Sequence, residues 1–120
     1  MKVFPNNKTK VFMSVSKFPG NTGSNFHNSL FNYLKLNSLY FPLKLNNEKN
    51  FKKIILDLNI AGCSVSMPFK KTIFKFLDKH HITCKITKNV NTIINKKHKL
   101  IGYNTDFMAS NQILKLKIKK

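Results

Sequence analysis

Short apolar runs alternate along this chain with stretches in which apolar residues recur every three or four positions, and that alternation leaves few folds open. Residues 11–16 (VFMSVS) read as a buried first strand. A loop over residues 18–23 (FPGNTG) follows, with Pro19, two glycines and no acid. Ser24 or Asn25 is placed to cap a helix reaching about Leu36, and its Phe26, Leu30, Phe31 and Leu34 repeat at helical spacing. The stripe Phe26, Leu30 and Leu34 is expected in the core. Residues 38–45 (SLYFPLKL) read as a second strand, and Pro42, which cannot donate to a ladder, assigns it to a sheet edge or a strand end. A helix from Asn46 or Asn47 to about Leu58 turns Phe51, Ile54, Ile55 and Leu58 to one face. Residues 61–66 form a short buried strand, followed by a Met67-Pro68 loop. Residues 69–77 read as helical, with Ile73, Phe74 and Leu77 inward and Lys71, Lys75 and Lys79 outward. The stretch 82–88 is ambiguous. Residues 91–95 and 99–103 read as a hairpin joined by Lys96-Lys97-His98. Thr105 or Asp106 is placed to cap a last helix reaching about Lys117, with Asp106 at its positive end and the lysine tail at its negative end.

This order predicts an α/β fold: an open, mixed, mostly parallel sheet with helices on both faces. A chain of 120 residues suffices for one such domain with a real core. No internal repeat or low-complexity linker interrupts it. Loops 17–23, 66–69 and 103–106 would fall at the carboxyl ends of strands, where open α/β sheets place ligands.

The charge is lopsided. There are 22 lysines, no arginine and 16 asparagines, against Glu48, Asp57, Asp78 and Asp106, for a formal charge of +18. An apolar fraction of 42% with 11 phenylalanines excludes a disordered basic tail. Such a chain attracts nucleic acid without regard to sequence, but the lysines are scattered and the usual reader of base edges is missing, so only non-specific binding is expected. No run approaches the roughly 18 apolar residues of a membrane span, and the basic start leads into no signal-peptide core. Two cysteines, Cys63 and Cys84, without zinc spacing argue against a disulfide framework or a metal site and fit a reducing, cytoplasmic setting. His80-His81 reads as a solvated loop and Cys63 as a core residue.

Three segments and a dipeptide carry a resemblance. Residues 62–70 (GCSVSMPFK), 89–93 (NVNTI), 102–106 (GYNTD) and the His27-Asn28 pair resemble, in order and separation, the substrate-binding domain of shikimate dehydrogenases. The resemblance spans residues 11–109 and implies the fold of the aminoacid dehydrogenase-like N-terminal domain. It departs from the standard enzyme at the Ser-x-Ser-Pro loop, where Asn21, Gly23 and Ser24 stand, and at the Asn-Val-Thr segment, which is Ser64, Val65 and Ser66. Lys88 and Asn89 replace the usual Gly-Ala, and Ala109 the usual glycine after the aspartate. The combination of SxxPGNxGxxFHN with GCxVSMPFK is similar to the divergent shikimate dehydrogenase-like branch.

The resemblance implies roles. Lys70 and Asp106 are the catalytic pair that brackets the hydroxyl oxidised to a ketone, and Asn91 binds a substrate hydroxyl. The rebuilt carboxylate pocket is expected from Asn21, Thr22 and Ser66, with backbone donors around Gly20 and Gly23. Ser14 and Ser16 lie near the ligand face without matching a binding serine, and His27 is read as structural. The implied activity is NADP-linked oxidation of shikimate to 3-dehydroshikimate, or of a related cyclic polyol acid, in aromatic amino acid (chorismate) biosynthesis. NADP itself belongs to a second domain, and these residues contain no strand–GxGxxG–helix unit. Residues 1–104 are expected to be the substrate-binding domain and residues 105–120 the start of an interdomain helix. Alone, the chain is expected to be inactive, since hydride transfer needs substrate and cofactor in register. The partners this leaves are a small polyol acid, a separate cofactor-binding polypeptide and a second copy of the chain. The competing functions are a non-catalytic or relict small-molecule binder and, further off, a lysine-rich nucleic-acid binder.

Overall fold

The computed structural model describes residues 4–118. Its strands are β1 (Lys10–Ser16), β2 (Ser38–Lys44), β3 (Ile60–Val65), β4 (Lys79–His80), β5 (Thr92–Lys96) and β6 (Lys99–Tyr103), in one sheet of order β2-β1-β3-β5-β6-β4. Its helices are α1 (Thr22–Tyr33), α2 (Phe51–Asp57), α3 (Ile82–Thr87) and α4 (Thr105–Ile118), with a 3-10 turn over Ile73–Phe76. β1 pairs in parallel with both β2 and β3, and β4 with β6. β5 runs antiparallel to β3 and β6. The fold is the expected mixed, mostly parallel α/β sheet, with one short strand, β4, that the residue pattern does not signal.

Chain connectivity fixes where the helices go. α1 carries the chain from β1 to β2 on one side, and α2 carries it back to β3 on the other side of β1. Right-handed crossovers in opposite directions lie on opposite faces of the sheet. The carboxyl ends of β1 and β3 therefore flank the point where the strand order reverses, the usual ligand crevice of open sheets. β5 follows a different rule. A two-residue turn, Lys97-His98, has both residues left-handed (φ 50° and 67°), which matches the twist of a hairpin and forces antiparallel pairing. Pro42 sits in β2, which is an edge strand, as its missing N–H requires.

The period of two in β1 and β3 sorts their side chains. Met13, Val15, Cys63 and Val65 point to the α2 face and are buried with Phe51, Ile55, Ile73, Ile93 and Leu100. Phe12, Ser14, Ser16, Gly62 and Ser64 point to the α1 face. Gly102 belongs to the first face, where a Cβ would run into Leu77 Cδ1 and crowd Val90 and Cys84. Burial pushes the Cys63 and Cys84 thiols up, so both are inert core groups rather than nucleophiles.

Several expected details differ. The Phe26, Leu30 and Leu34 stripe is not core: all three are exposed, and Ser24, His27, Asn28 and Phe31 face the sheet instead. The rotation of α1 is set by Asn28, whose amide donates to Tyr40 O (2.7 Å) and accepts from Tyr40 N (2.9 Å). Those are the outward backbone groups of an edge strand, and satisfying them outweighs burying one more leucine. α1 begins at Thr22 after Asn21, earlier than a Ser24 or Asn25 cap allows, and Asn21 makes no side-chain cap. α2 begins at Phe51 rather than Asn46 or Asn47, and Leu58 is exposed. Residues 69–77 are turns and one 3-10 segment rather than a helix, although Phe69, Ile73 and Leu77 are buried as their spacing suggests. His80 and His81 are not a solvated loop. His80 stacks on Phe74 and its Nε2 bonds Phe74 O at 2.9 Å, while His81 caps α3 and stacks on Tyr103.

Asp78 closes the sheet next to this pair. Its Oδ2 accepts from Leu100 N at 2.8 Å, and Lys52 Nζ lies 3.5 Å from Oδ1. The Leu100 N–H, with further help from the charges of Lys52 and Lys99, holds its carboxyl below the usual aspartate range against the opposing desolvation. A depressed folded-state value contributes stability that is present above the unfolded value of about 3.9 and lost as pH falls through the folded one. Acid unfolding below about pH 4 is thus expected to be blunted in Asp78→Asn relative to the parent, with lower stability at pH 7. An identical acid limb in both proteins, followed by circular dichroism, refutes this assignment.

Candidate functional site

Lys70, Asp106 and Asn91 lie where β3 and β6 end and β5 begins, at one end of the strands. Lys70 follows β3 by five positions, and its backbone carbonyl accepts from Val90 N (2.9 Å). Asp106 is the second residue of α4. The Lys70 Nζ and Asp106 Oδ2 atoms are 3.6 Å apart, with Lys70 half-buried and the Asp106 side chain 75% exposed. Asp106 is free to serve Lys70 because the helix cap is neither it nor Thr105. Asn104 Oδ1 takes that role, accepting from Phe107 N at 2.9 Å, while its Nδ2 is anchored on Thr87.

Asn91 reaches the same end because β5 runs backwards: its start lies beside the ends of β3 and β6. Its carbonyl accepts from Val65 N (2.8 Å). Its Oδ1 accepts from Thr92 Oγ1 and from the backbone N and Oγ1 of Thr105, at 3.0–3.1 Å. The acceptor end of this amide is fully used in fastening α4 to the sheet, so toward a ligand Asn91 offers only its Nδ2 donors.

At the same carboxyl end of β1 and β3 a cleft of about 630 Å³ opens where the strand order reverses, lined by Ser14, Ser16, Thr22, His27, Ser64 and Ser66 among others, while Lys70, Asn91 and Asp106 are not among its lining residues. Ser14 and Ser64 are register partners on β1 and β3, and Ser66 N donates to Val15 O. Among the described residues none of the hydroxyls of Ser14, Ser16, Thr22, Ser64 and Ser66 has a hydrogen-bond partner. Of the residues expected to form a carboxylate pocket, Thr22 and Ser66 line this cleft, as do Gly20 and Gly23. Asn21 does not line the cleft. Sequence reasoning gave Ser64 no site role, read His27 as structural and left Ser14 and Ser16 without a role. The alternation in VFMSVS and GCSVS carried the signal for the serines, since it puts them all opposite the core face.

The residues present do not fit a dinucleotide. The β1–α1 turn has Gly20 and Gly23 but Phe18 where a first glycine of the fingerprint would stand, and β2 ends at Lys44 rather than an acid. A Cβ at Gly20 would meet nothing within 4 Å, so no close backbone approach depends on it. Among the described residues no three His, Cys, Asp or Glu side chains gather to hold a metal.

Comparison with known proteins agrees with this architecture. The pattern of the shikimate dehydrogenase substrate binding domain matches residues 22–93. The chain is 41% identical over 104 residues to a shikimate dehydrogenase-like protein of Haemophilus influenzae, covering 87% of this chain and 38% of that one. A solved shikimate 5-dehydrogenase-like protein superimposes with a TM-score of 0.90 at 37% identity, over 98% of this chain and 44% of that one. The shikimate 5-dehydrogenase of Listeria monocytogenes, solved with shikimate and NAD, does so with a TM-score of 0.80 at 26% identity, over 98% of this chain and 42% of that one. The chain therefore spans well under half the length of the relatives it matches. On sequence match and superposition together, the chain belongs to the shikimate dehydrogenase family as its N-terminal substrate-binding domain, in the divergent shikimate dehydrogenase-like branch.

Proposed function

We propose that this domain binds shikimate, 3-dehydroshikimate or a closely related cyclic polyol acid as the substrate half of an oxidoreductase. The observation that carries the reading is the Lys70–Asp106 pair, 3.6 Å apart at the same end of the strands as a cleft walled by open hydroxyls. A lysine ammonium held by a carboxylate is suited to donate a proton to a ketone oxygen as it is reduced, and to take it back in the reverse direction. Asp106 keeps the ammonium in place and accepts from a neighbouring hydroxyl, and Asn91 Nδ2 donates to another. The cleft, about 630 Å³, is of ordinary size for a small ligand, and its unpartnered hydroxyls can exchange hydrogen bonds with those of a polyol. The hydride comes from a nicotinamide dinucleotide bound outside residues 4–118, which hold no cradle for it. The solved Listeria monocytogenes relative with shikimate supports the substrate class.

Calorimetric titration of the chain with shikimate, 3-dehydroshikimate and quinate tests this. Saturable binding of at least one is expected, with Asp106→Asn and Lys70→Ala each weakening it about 10- to 150-fold, the range of a lost charged hydrogen bond. No binding of any of the three, beside salt-sensitive binding of random DNA, would leave only the charge of the surface as a basis for function.

A further inference from the structure

Among the residues lining the hydroxyl cleft, His27 has the one side chain that can take a positive charge; the other ionisable group, the Tyr40 phenol, can only become an anion. The chain carries 22 lysines, yet among the described residues none lines that cleft, nor the smaller apolar groove of about 280 Å³ that His27 also borders. An anionic ligand end would there meet neutral hydroxyls and a single group able to become a cation.

The other half-buried histidines show what a structural histidine looks like in this fold. His80 bonds Phe74 O and His81 bonds Thr83 Oγ1, each through a ring nitrogen at 2.9 Å. His27 has no ring hydrogen bond among the described residues, although it is equally half-buried. Its position is nevertheless held. The ring stacks on Tyr40 at 4.5 Å and takes Phe26 edge-on at 5.2 Å, while its neighbour Asn28 locks α1 to β2. A positioned ring with open nitrogens at the wall of a polar cleft is built to donate. The groups facing it are Tyr40 from β2, Phe12, Ser14 and Ser16 from β1, Ser64 from β3, and Phe26 and Phe31 of its own helix. No lysine or carboxylate is among them.

We propose that His27 reads the anionic end of the ligand: as an imidazolium it pairs with the carboxylate of the polyol acid, so that affinity is greater at acid pH and the uncharged ester gains nothing from the ring. The inference rests on the polyol-acid reading of the cleft and adds to it the specificity residue and the sign of its pH dependence. A charge-assisted hydrogen bond exceeds a neutral one by about 1–1.5 kcal/mol, or roughly tenfold in affinity.

The test is calorimetric titration of the chain with shikimate and with its methyl ester between about pH 5 and pH 8, where histidine changes charge. Wild-type affinity for shikimate is expected to fall about tenfold across that range, while the ester binds weakly and without slope. His27→Gln is expected to bind shikimate at the weak, alkaline level throughout. In parallel, the His27 ring resonances of the wild-type chain are expected to titrate at a higher pH with shikimate bound than without, a readout that does not depend on the variant folding. Shikimate binding with a flat profile, a slope that survives His27→Gln in a folded variant, or a ring titration indifferent to ligand overturns the role of His27 and leaves the polyol-acid reading standing. Failure of shikimate to bind at any pH overturns both.

Discussion

Lys70→Ala is expected to lower kcat about 10²- to 10⁴-fold with a much smaller change in KM, when this domain replaces the matching segment of the Haemophilus influenzae relative and turnover is followed by reduced dinucleotide. The reasoning is one of magnitudes. The Lys70–Asp106 pair lies 3.6 Å apart with the carboxylate mostly in water. Exposed pairs of that kind contribute about 0–1 kcal/mol to stability. Losing Lys70 therefore should not unfold the domain, and a loss of several orders in rate has to come from the missing proton carrier at the reacting oxygen. Asp106→Asn keeps the shape of the side chain and removes its charge, so it should cost less in kcat than Lys70→Ala while also weakening binding. The α4 cap is unaffected by it, because Asn104 holds that role. Unchanged kcat in a folded Lys70→Ala protein would remove Lys70 from the reaction.

Phe51→Ala should destabilise the domain by about 3–5 kcal/mol, a large part of the 5–15 kcal/mol typical of a whole domain. Phe51 is the first residue of α2, is fully buried, and lies in the core cluster with Met13, Val15 and Ile55. α2 has only seven residues, Phe51–Asp57, too short to persist without its packed face. The side chain is thus both the anchor of the helix and a filler of the sheet face beneath the cleft. Chemical denaturation should show the midpoint falling at near-constant slope. A change under 1 kcal/mol would mean that the core collapses around the vacancy. Leu58→Ala, at the exposed end of the same helix, should cost well under that.

The parts of this fold that were legible beforehand are those decided by neighbours in the chain. The hairpin follows from a turn of two residues, the edge position of β2 from Pro42, and the two-faced strands from strict alternation in VFMSVS and GCSVS. The parts that were misread depend on a partner far along the chain. Leu30 and Leu34 look like a core stripe until Asn28 meets the free backbone of Tyr40 and turns the helix. Residues 69–77 have helical spacing, yet Phe69, Ile73 and Leu77 reach the core from turns and a 3-10 segment. His80 and His81 look solvated until Phe74 and Tyr103 stack on them.

The candidate site divides along the same line. Hydrophobic period determined the α/β class, and the resemblance of three motifs to shikimate dehydrogenases named Lys70, Asp106 and Asn91, because motif identity and hydrophobic period are properties of the linear chain. Tertiary structure alone decided that Asn91 has only donors left to offer, that Asp106 is released from capping, and that four serines and His27 wall one cleft. Each of those outcomes is a competition for hydrogen bonds or burial between segments brought together only by sheet pairing and crossover handedness, and no local pattern encodes who wins it.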